Sequence, residues 1–145
     1  MPEFVSYADR DEIITINKKI VTDRNESFDV DKKKLNDIVD SVNSGFDPPI
    51  FNDRNRIIKR AAIIMARITW GQPFNEGNRE TALYFTIQYL YKNKLDLQTT
   101  NPKIQREIYI LMEKTIDKFE NDETIITEIE LYLKQIVIDL KFTDW

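Results

Sequence analysis

The stretch Trp70-Gly71-Gln72-Pro73-Phe74-Asn75-Glu76-Gly77-Asn78-Arg79-Glu80-Thr81-Ala82-Leu83 lies between two of the strongest helical patterns in the chain. Upstream runs Arg56-Ile57-Ile58-Lys59-Arg60-Ala61-Ala62-Ile63-Ile64-Met65-Ala66-Arg67-Ile68. Downstream runs Glu80-Thr81-Ala82-Leu83-Tyr84-Phe85-Thr86-Ile87-Gln88-Tyr89-Leu90-Tyr91. Gly71 suits a helix end, and Pro73 cannot extend a helix because it lacks the amide N–H and its ring clashes with the preceding turn. Glu76, Gly77 and Asn78 suit the opening of the next helix. A helix N-terminus presents unsatisfied N–H groups and a partial positive charge, which together hold an anion such as a phosphate. A carboxylate beside that point, Glu76, could hold Mg²⁺ against the same phosphate. The same residues also make a structural turn, with Gly71 and Pro73 breaking the helix, Phe74 plugging the core and Asn75 or Asn78 capping.

Around this stretch the composition sets bounds. A chain of 145 residues is one domain's worth, so residues 1–145 are read as a single helical domain. With 41% hydrophobic and 32% charged residues it has the make-up of a folded, water-soluble protein. A net charge of −4, with acids and bases interspersed, disfavours nucleic acid as a partner. The sequence contains neither cysteine nor histidine. Disulfides, thiolate metal sites and imidazole bases are therefore excluded, and oxygen-ligated Mg²⁺ is the metal chemistry left open. The start Met1-Pro2-Glu3-Phe4 has no signal-peptide pattern and no apolar run is long enough for a bilayer, so a cytoplasmic protein without membrane attachment is expected.

Apolar periodicity then divides the chain into about six helices, an all-α bundle. Ser6 and Asp9 pair as a capping box before the stripe Ile13, Ile16, Ile20 and Val21, which fades near Asp23 to Asn25. Asp29 or Asp31 caps the stripe Leu35, Ile38, Val39 and Val42, and Gly45 stops it. Phe46-Asp47-Pro48-Pro49-Ile50-Phe51 is an extended break. Asn52 or Asp53 opens the third helix, apolar on most faces and hence central, with Arg60 and Arg67 as polar exceptions. Arg67 lies near the loop and could reach an anion there, although a solvated or salt-bridged role is the simpler reading. The fourth helix, with Leu83, Tyr84, Phe85, Ile87, Leu90 and Tyr91, reads as central too. Leu95-Asp96-Leu97 is a short extended link. Asn101 caps a fifth helix begun by Pro102, with Ile104, Ile108, Leu111, Met112, Ile116 and Phe119. Asn121 or Asp122 caps the last, from Ile125 to Leu140, with Lys141 at its end.

The loop residues resemble the signature of the Fic/Doc (death-on-curing) superfamily, H-x-F-x-[D/E]-[G/A]-N-[G/K]-R, which in Doc-like members often continues Thr-Ala-Leu. Pro73, Phe74, Glu76, Gly77, Asn78, Thr81, Ala82 and Leu83 match, and Arg79 stands where Doc-like proteins have Lys. The flanks, FVSYADRDEIITINKKIV at 4–21 and KNKLDL at 92–97, are similar to the usual Doc-like opening and ending. Two departures fall on the chemistry. Gln72 occupies the position of the catalytic His, and Glu80 that of the phosphate-binding Arg. A one-residue slip that made Arg79 the family Arg would rotate the helix by about 100°, and the in-register Thr81-Ala82-Leu83 argues against it.

The resemblance implies a nucleotide-handling site that uses ATP and Mg²⁺. Active members move AMP, or in the phage Doc toxin phosphate, to a protein hydroxyl. Carried over residue by residue, Glu76 is the metal ligand and Gly77, Asn78 and Arg79 form the nucleotide-binding loop. Gln72 cannot take a proton near neutral pH, and loss of a general base costs about 10²–10⁴-fold. Glu80 sets an anion where a cation faces phosphate. The expected function is a catalytically impaired relative binding a protein target or antitoxin-like partner, with a nucleotide. The alternative is an active, toxin-like AMP- or phosphate-transferase. The break at 46–51 sits where the family carries a flap that pairs with an extended target segment. A rigid linker is the simpler reading, because proline removes N–H groups that pairing needs.

Overall fold

A computed structural model describes residues 8–44, 54–118 and 123–140. Asp9 caps the first helix, α1 (Arg10–Asp23): its carboxylate accepts from the backbone N–H groups of Asp11 at 2.9 Å and Glu12 at 3.4 Å. The sequence pattern places this aspartate inside a capping box behind Ser6; in the fold it is itself the cap, and Ser6 lies outside the described residues. α2 (Lys32–Ser44) starts at Asp31, whose side chain accepts from the Lys34 N–H at 3.0 Å. Its stripe of Leu35, Val39 and Val42 is buried. The stop at Gly45, the break at 46–51 and the caps at Asn52 or Asp53 lie outside the described residues.

α3 (Arg54–Gly71) is the central helix, and it packs against α2, α4, α5 and α6. Ile57, Ile58, Ala61, Ala62, Ile64, Met65, Ala66 and Ile68 are all buried, which is why its sequence is apolar on nearly every side. Arg60 is enclosed with them, 4% exposed, beside Tyr89. Burial pushes the Tyr89 hydroxyl up to about 12, with the Arg60 charge partly offsetting the shift. α4 (Asn78–Lys92) returns along α3 and buries Ala82, Leu83, Phe85, Tyr89 and Leu90. Tyr84 and Tyr91 do not join them: they are 52% and 55% exposed. Spaced seven residues apart, they stand on one outer face of α4, away from α3.

α5 (Pro102–Lys118) begins as expected, with the Asn101 side chain accepting from the Lys103 N–H at 3.0 Å. α6 (Glu123–Ile136) is shorter than its apolar pattern suggests. It stops at Ile136, and Ile138–Asp139 (β2) pairs antiparallel with Leu95–Asp96 (β1). The physical reason is a competing set of partners. The Leu140 N–H donates to the Lys94 carbonyl at 3.0 Å, and the Arg54 guanidinium donates to the Val137 carbonyl at 2.6 Å and pairs with Asp139. The link at 95–97 is thus one half of a small two-stranded sheet. Phe119, Asn121, Asp122 and Lys141 lie outside the described residues. The described architecture is six helices with this one strand pair, an all-α fold. No helix among the described residues is long and apolar enough to cross a membrane.

The faces of α6 give a stability test. Leu133 is fully buried against the core, whereas Leu131 is 55% exposed. Leu133→Ala is expected to cost about 2–5 kcal/mol, and Leu131→Ala no more than about 0.5 kcal/mol, read from urea denaturation midpoints. Equal losses would mean that α6 presents a different face to α3.

Candidate functional site

α3 ends where α2 approaches it closely: a Cβ on Gly71 would lie 2.5 Å from Ile38 Cδ1. The chain reverses at Gln72, in the left-handed region with φ 47°. Phe74 then turns inward, buried with its ring centroid 6.3 Å from that of Phe28. The segment before α2 holds this piece as a short antiparallel bridge between Val30 and Phe74. The Asp31 N–H donates to the Pro73 carbonyl at 2.8 Å, and the Asn75 N–H donates to the Asp29 carbonyl at 3.0 Å.

The second half of the loop is fixed by side chains. Asn78 grips the backbone of Phe74 with both ends of its amide: Oδ1 accepts from the Phe74 N–H at 2.9 Å and Nδ2 donates to the Phe74 carbonyl at 2.8 Å. Asn17, fully buried on α1, donates to the Glu76 carbonyl at 2.7 Å and to Thr81 Oγ1 at 3.1 Å. Thr81 in turn donates to the Gly77 carbonyl at 2.7 Å. Gly77 takes φ 74°, and a Cβ there would meet Asn17 Nδ2 and Ile20 Cγ2, each at 3.3 Å. Both the backbone angle and the space select glycine.

Neither asparagine of the loop caps α4. Gly77 is the N-cap, and among the described residues no side chain caps the first turn. The amides that open α4 therefore face the cleft without an internal acceptor, the arrangement that receives anions at helix starts.

The cleft has a volume of about 540 Å³ and brings together the loop residues singled out from the sequence: Gln72, Glu76, Gly77, Asn78, Arg79 and Glu80. The Asn78 amide is committed to the loop itself, so what it offers an anion is its backbone. Arg79 reaches across to Glu113 on α5 at 3.4 Å. Glu80 pairs with Arg24, at the end of α1, at 3.0 Å. Arg24 is more firmly protonated as a result, chiefly through its hydrogen bond to Glu80. The Tyr109 hydroxyl is pushed up first by burial and then by the Glu80 charge.

Sequence reasoning missed Arg24, Glu113 and Asp117 on the cleft wall. Nothing in a linear reading joins residue 24 to residue 80. Asn17 did carry a signal: it is a polar residue on the buried line Ile13, Asn17, Val21. Arg67 lies elsewhere, on a separate groove between α2 and α3.

Around the cleft two guanidiniums, Arg24 and Arg79, face four carboxylates, Glu76, Glu80, Glu113 and Asp117. That surplus of acid opposes a free polyphosphate and favours one accompanied by a divalent cation. Mg²⁺ is held by one or two protein carboxylates plus water and phosphate oxygens. Glu76, exposed on the cleft wall beside the open turn of α4, fits that pattern. No group of three His, Cys, Asp or Glu suited to a metal occurs among the described residues. The donor set thus fits a metal shared with phosphate rather than one caged by protein.

The loop's anchors are measurable. Gly77→Ala is expected to destabilise by more than about 1 kcal/mol from backbone strain alone. Asn78→Ala should cost about 1–3 kcal/mol by orphaning Phe74 backbone groups. Chemical denaturation checks both, and a loss below 0.5 kcal/mol for either would show that the loop is held by other means.

No curated protein and no solved structure shows significant similarity to the chain. A family model described as Fic/DOC family matches residues 7–90, the span that runs from α1 through the loop and most of α4. With more than half its length matched, including the whole loop that builds the cleft, the chain belongs to the Fic/DOC family.

Proposed function

We propose that this chain is a catalytically impaired Fic/DOC protein whose cleft binds a protein partner together with a Mg²⁺-accompanied nucleotide. The observation that carries this reading is the pair of residues at the cleft's chemical positions. Gln72 stands where the resemblance places the proton acceptor, and its amide has no pKa near neutrality. Glu80 stands where it places a phosphate-facing Arg, and is paired with Arg24 instead. Binding capacity is supported by the uncapped first turn of α4 and by the exposed carboxylate of Glu76.

In this reading Mg²⁺ would supply positive charge to the phosphates, with Glu76 as its protein ligand. The backbone N–H groups of Asn78 and Arg79 would donate to phosphate oxygens, and Arg79 would add charge on leaving Glu113. Gln72 orients by hydrogen bonding and moves no proton. The protein partner belongs to the class of a former target or an antitoxin-like inhibitor, and a cytoplasmic setting supplies the nucleotide. An active AMP- or phosphate-transferase is the reading that the same experiment separates.

The thermal midpoint is measured with and without millimolar ATP and Mg²⁺, for the native chain and for Glu76→Ala. Occupancy at one hundred times the dissociation constant adds about 2.7 kcal/mol, an upward shift of several degrees. The shift is expected in the native chain and lost in Glu76→Ala. No shift in the native chain removes the nucleotide from the reading. In parallel, ATP labelled at the α- or γ-phosphate is incubated with the chain and a cell extract. The expected result is no protein labelling by the native chain. Labelling abolished by Glu76→Ala would establish the transferase instead. Gln72→His restores a general base and is expected to raise any residual transfer by about 10²–10⁴-fold; an unchanged rate would place the impairment at Glu80.

A further inference from the structure

Away from the cleft, a groove of about 500 Å³ runs between α2 and the C-terminal end of α3, lined by Lys34, Asp37, Ile38, Ser41, Arg67 and Trp70. We propose that this groove docks an acidic, apolar-rich segment of a partner protein, with Arg67 receiving a carboxylate of that segment. The proposal is independent of nucleotide binding in the cleft.

Arg67 is the reason. Its Nε is buried and, among the described residues, finds neither a hydrogen-bond acceptor nor an ion-pair partner, Asp37 included. A guanidinium partly withdrawn from water without an acceptor is an uncompensated cost within the free chain, and such groups call for an outside partner. A carboxylate matches the fork of the guanidinium with two parallel hydrogen bonds.

Charge placement points the same way. Lys34 and Arg67 outweigh Asp37 on the groove, so it is net positive on a chain whose overall charge is −4. Lys32, Lys33 and Lys34 occupy the first turn of α2, which holds no acid, and all three are exposed. None of them forms an ion pair with a described residue. Cations at a helix N-terminus oppose the helix dipole. The Asp31 cap offsets part of that cost, and the three ammonium groups leave this end of the groove positive.

The walls argue for a polypeptide rather than a small anion. Ile38, Trp70 and the bare Gly71 give the groove a largely apolar surface, and Trp70 remains 43% exposed. A phosphate would satisfy Arg67 and leave that surface wet. A segment alternating carboxylates with Leu, Phe or Trp side chains covers both, and Trp and Arg are among the residues enriched at interface hot spots.

The test selects a random dodecapeptide library on the intact chain and counter-selects it on Arg67→Met, which keeps the side chain's length and removes its charge. The expected pool is rich in Asp and Glu beside large apolar residues, and binds Arg67→Met about tenfold more weakly or worse. The chain has two tryptophans, so in a Trp145→Phe background emission reports Trp70 alone. Selected peptides should shift that emission, and inorganic phosphate at the same concentration should leave them bound. If Arg67→Met lowers the thermal midpoint, Lys34→Glu on the exposed rim replaces it and should weaken the same peptides. The proposal is overturned by a failure to enrich any peptide, a pool without acidic residues, equal binding to both charge variants, a silent Trp70, or displacement by equimolar phosphate.

Discussion

Burial of α3 among four neighbouring helices is the constraint from which the remaining structure follows. A helix of 18 residues whose flanks are taken up by α2, α4, α5 and α6 has no freedom to slide or rotate, because each displacement would open voids against several neighbours at once. Its small residues, Ala61, Ala62 and Ala66, are fully buried and let the surrounding helices come close. Even a charge, Arg60, is kept inside. The C-terminal end of α3 is therefore a fixed point, and so is the start of α4, which packs along it. The loop between them joins two immobile ends.

A loop in that position must satisfy its backbone polar groups locally, since it is wedged between α1, the approach to α2 and the first turn of α4. It does so with partners distant in sequence. Asp29 and Asp31 hold its first half through main-chain bonds, Asn17 holds its second half from α1, and Asn78 folds back on Phe74. This economy decides what is left for chemistry. The side chain that the family resemblance assigns to the anion is occupied with shaping the loop. The backbone amides at the start of α4, by contrast, are left open, because Gly77 has no side chain with which to cap them. In the proposed function, anion recognition therefore falls to the main chain rather than to this side chain.

Charge is distributed unevenly between two faces that flank the end of α3. The cleft carries more carboxylates than guanidiniums, and its two arginines are each engaged by an acid. The groove beside α2 carries the opposite balance, with its arginine unengaged. Exposed pairs such as Arg24–Glu80 contribute little to stability, about 0–1 kcal/mol. Their consequence is positional: Glu80 holds Arg24 at the cleft wall, where a positive charge is present although residue 80 itself is negative.

The sequence by itself determined the helical class, the order of the helices, the central place of α3 and the cleft's residues from Gln72 to Glu80. All of these rest on local signals: apolar periodicity, the Gly71 and Pro73 break, and a contiguous motif. Adjacent residues in a loop with fixed ends stay adjacent in space, so a linear motif survives folding intact. The tertiary structure alone decided the rest. It ended α6 early, because strand pairing of Ile138 and Asp139 with Leu95 and Asp96, and the Arg54 guanidinium on the Val137 carbonyl, hold the chain beyond Ile136. It turned Tyr84 and Tyr91 outward, because composition says that a helix is apolar but only packing says which face is covered. It set Arg24 beside Glu80, Glu113 beside Arg79, and Arg67 in a groove of its own. Such pairings depend on how whole helices dock, a matter of shape and volume summed over many residues, and no short window of sequence encodes them.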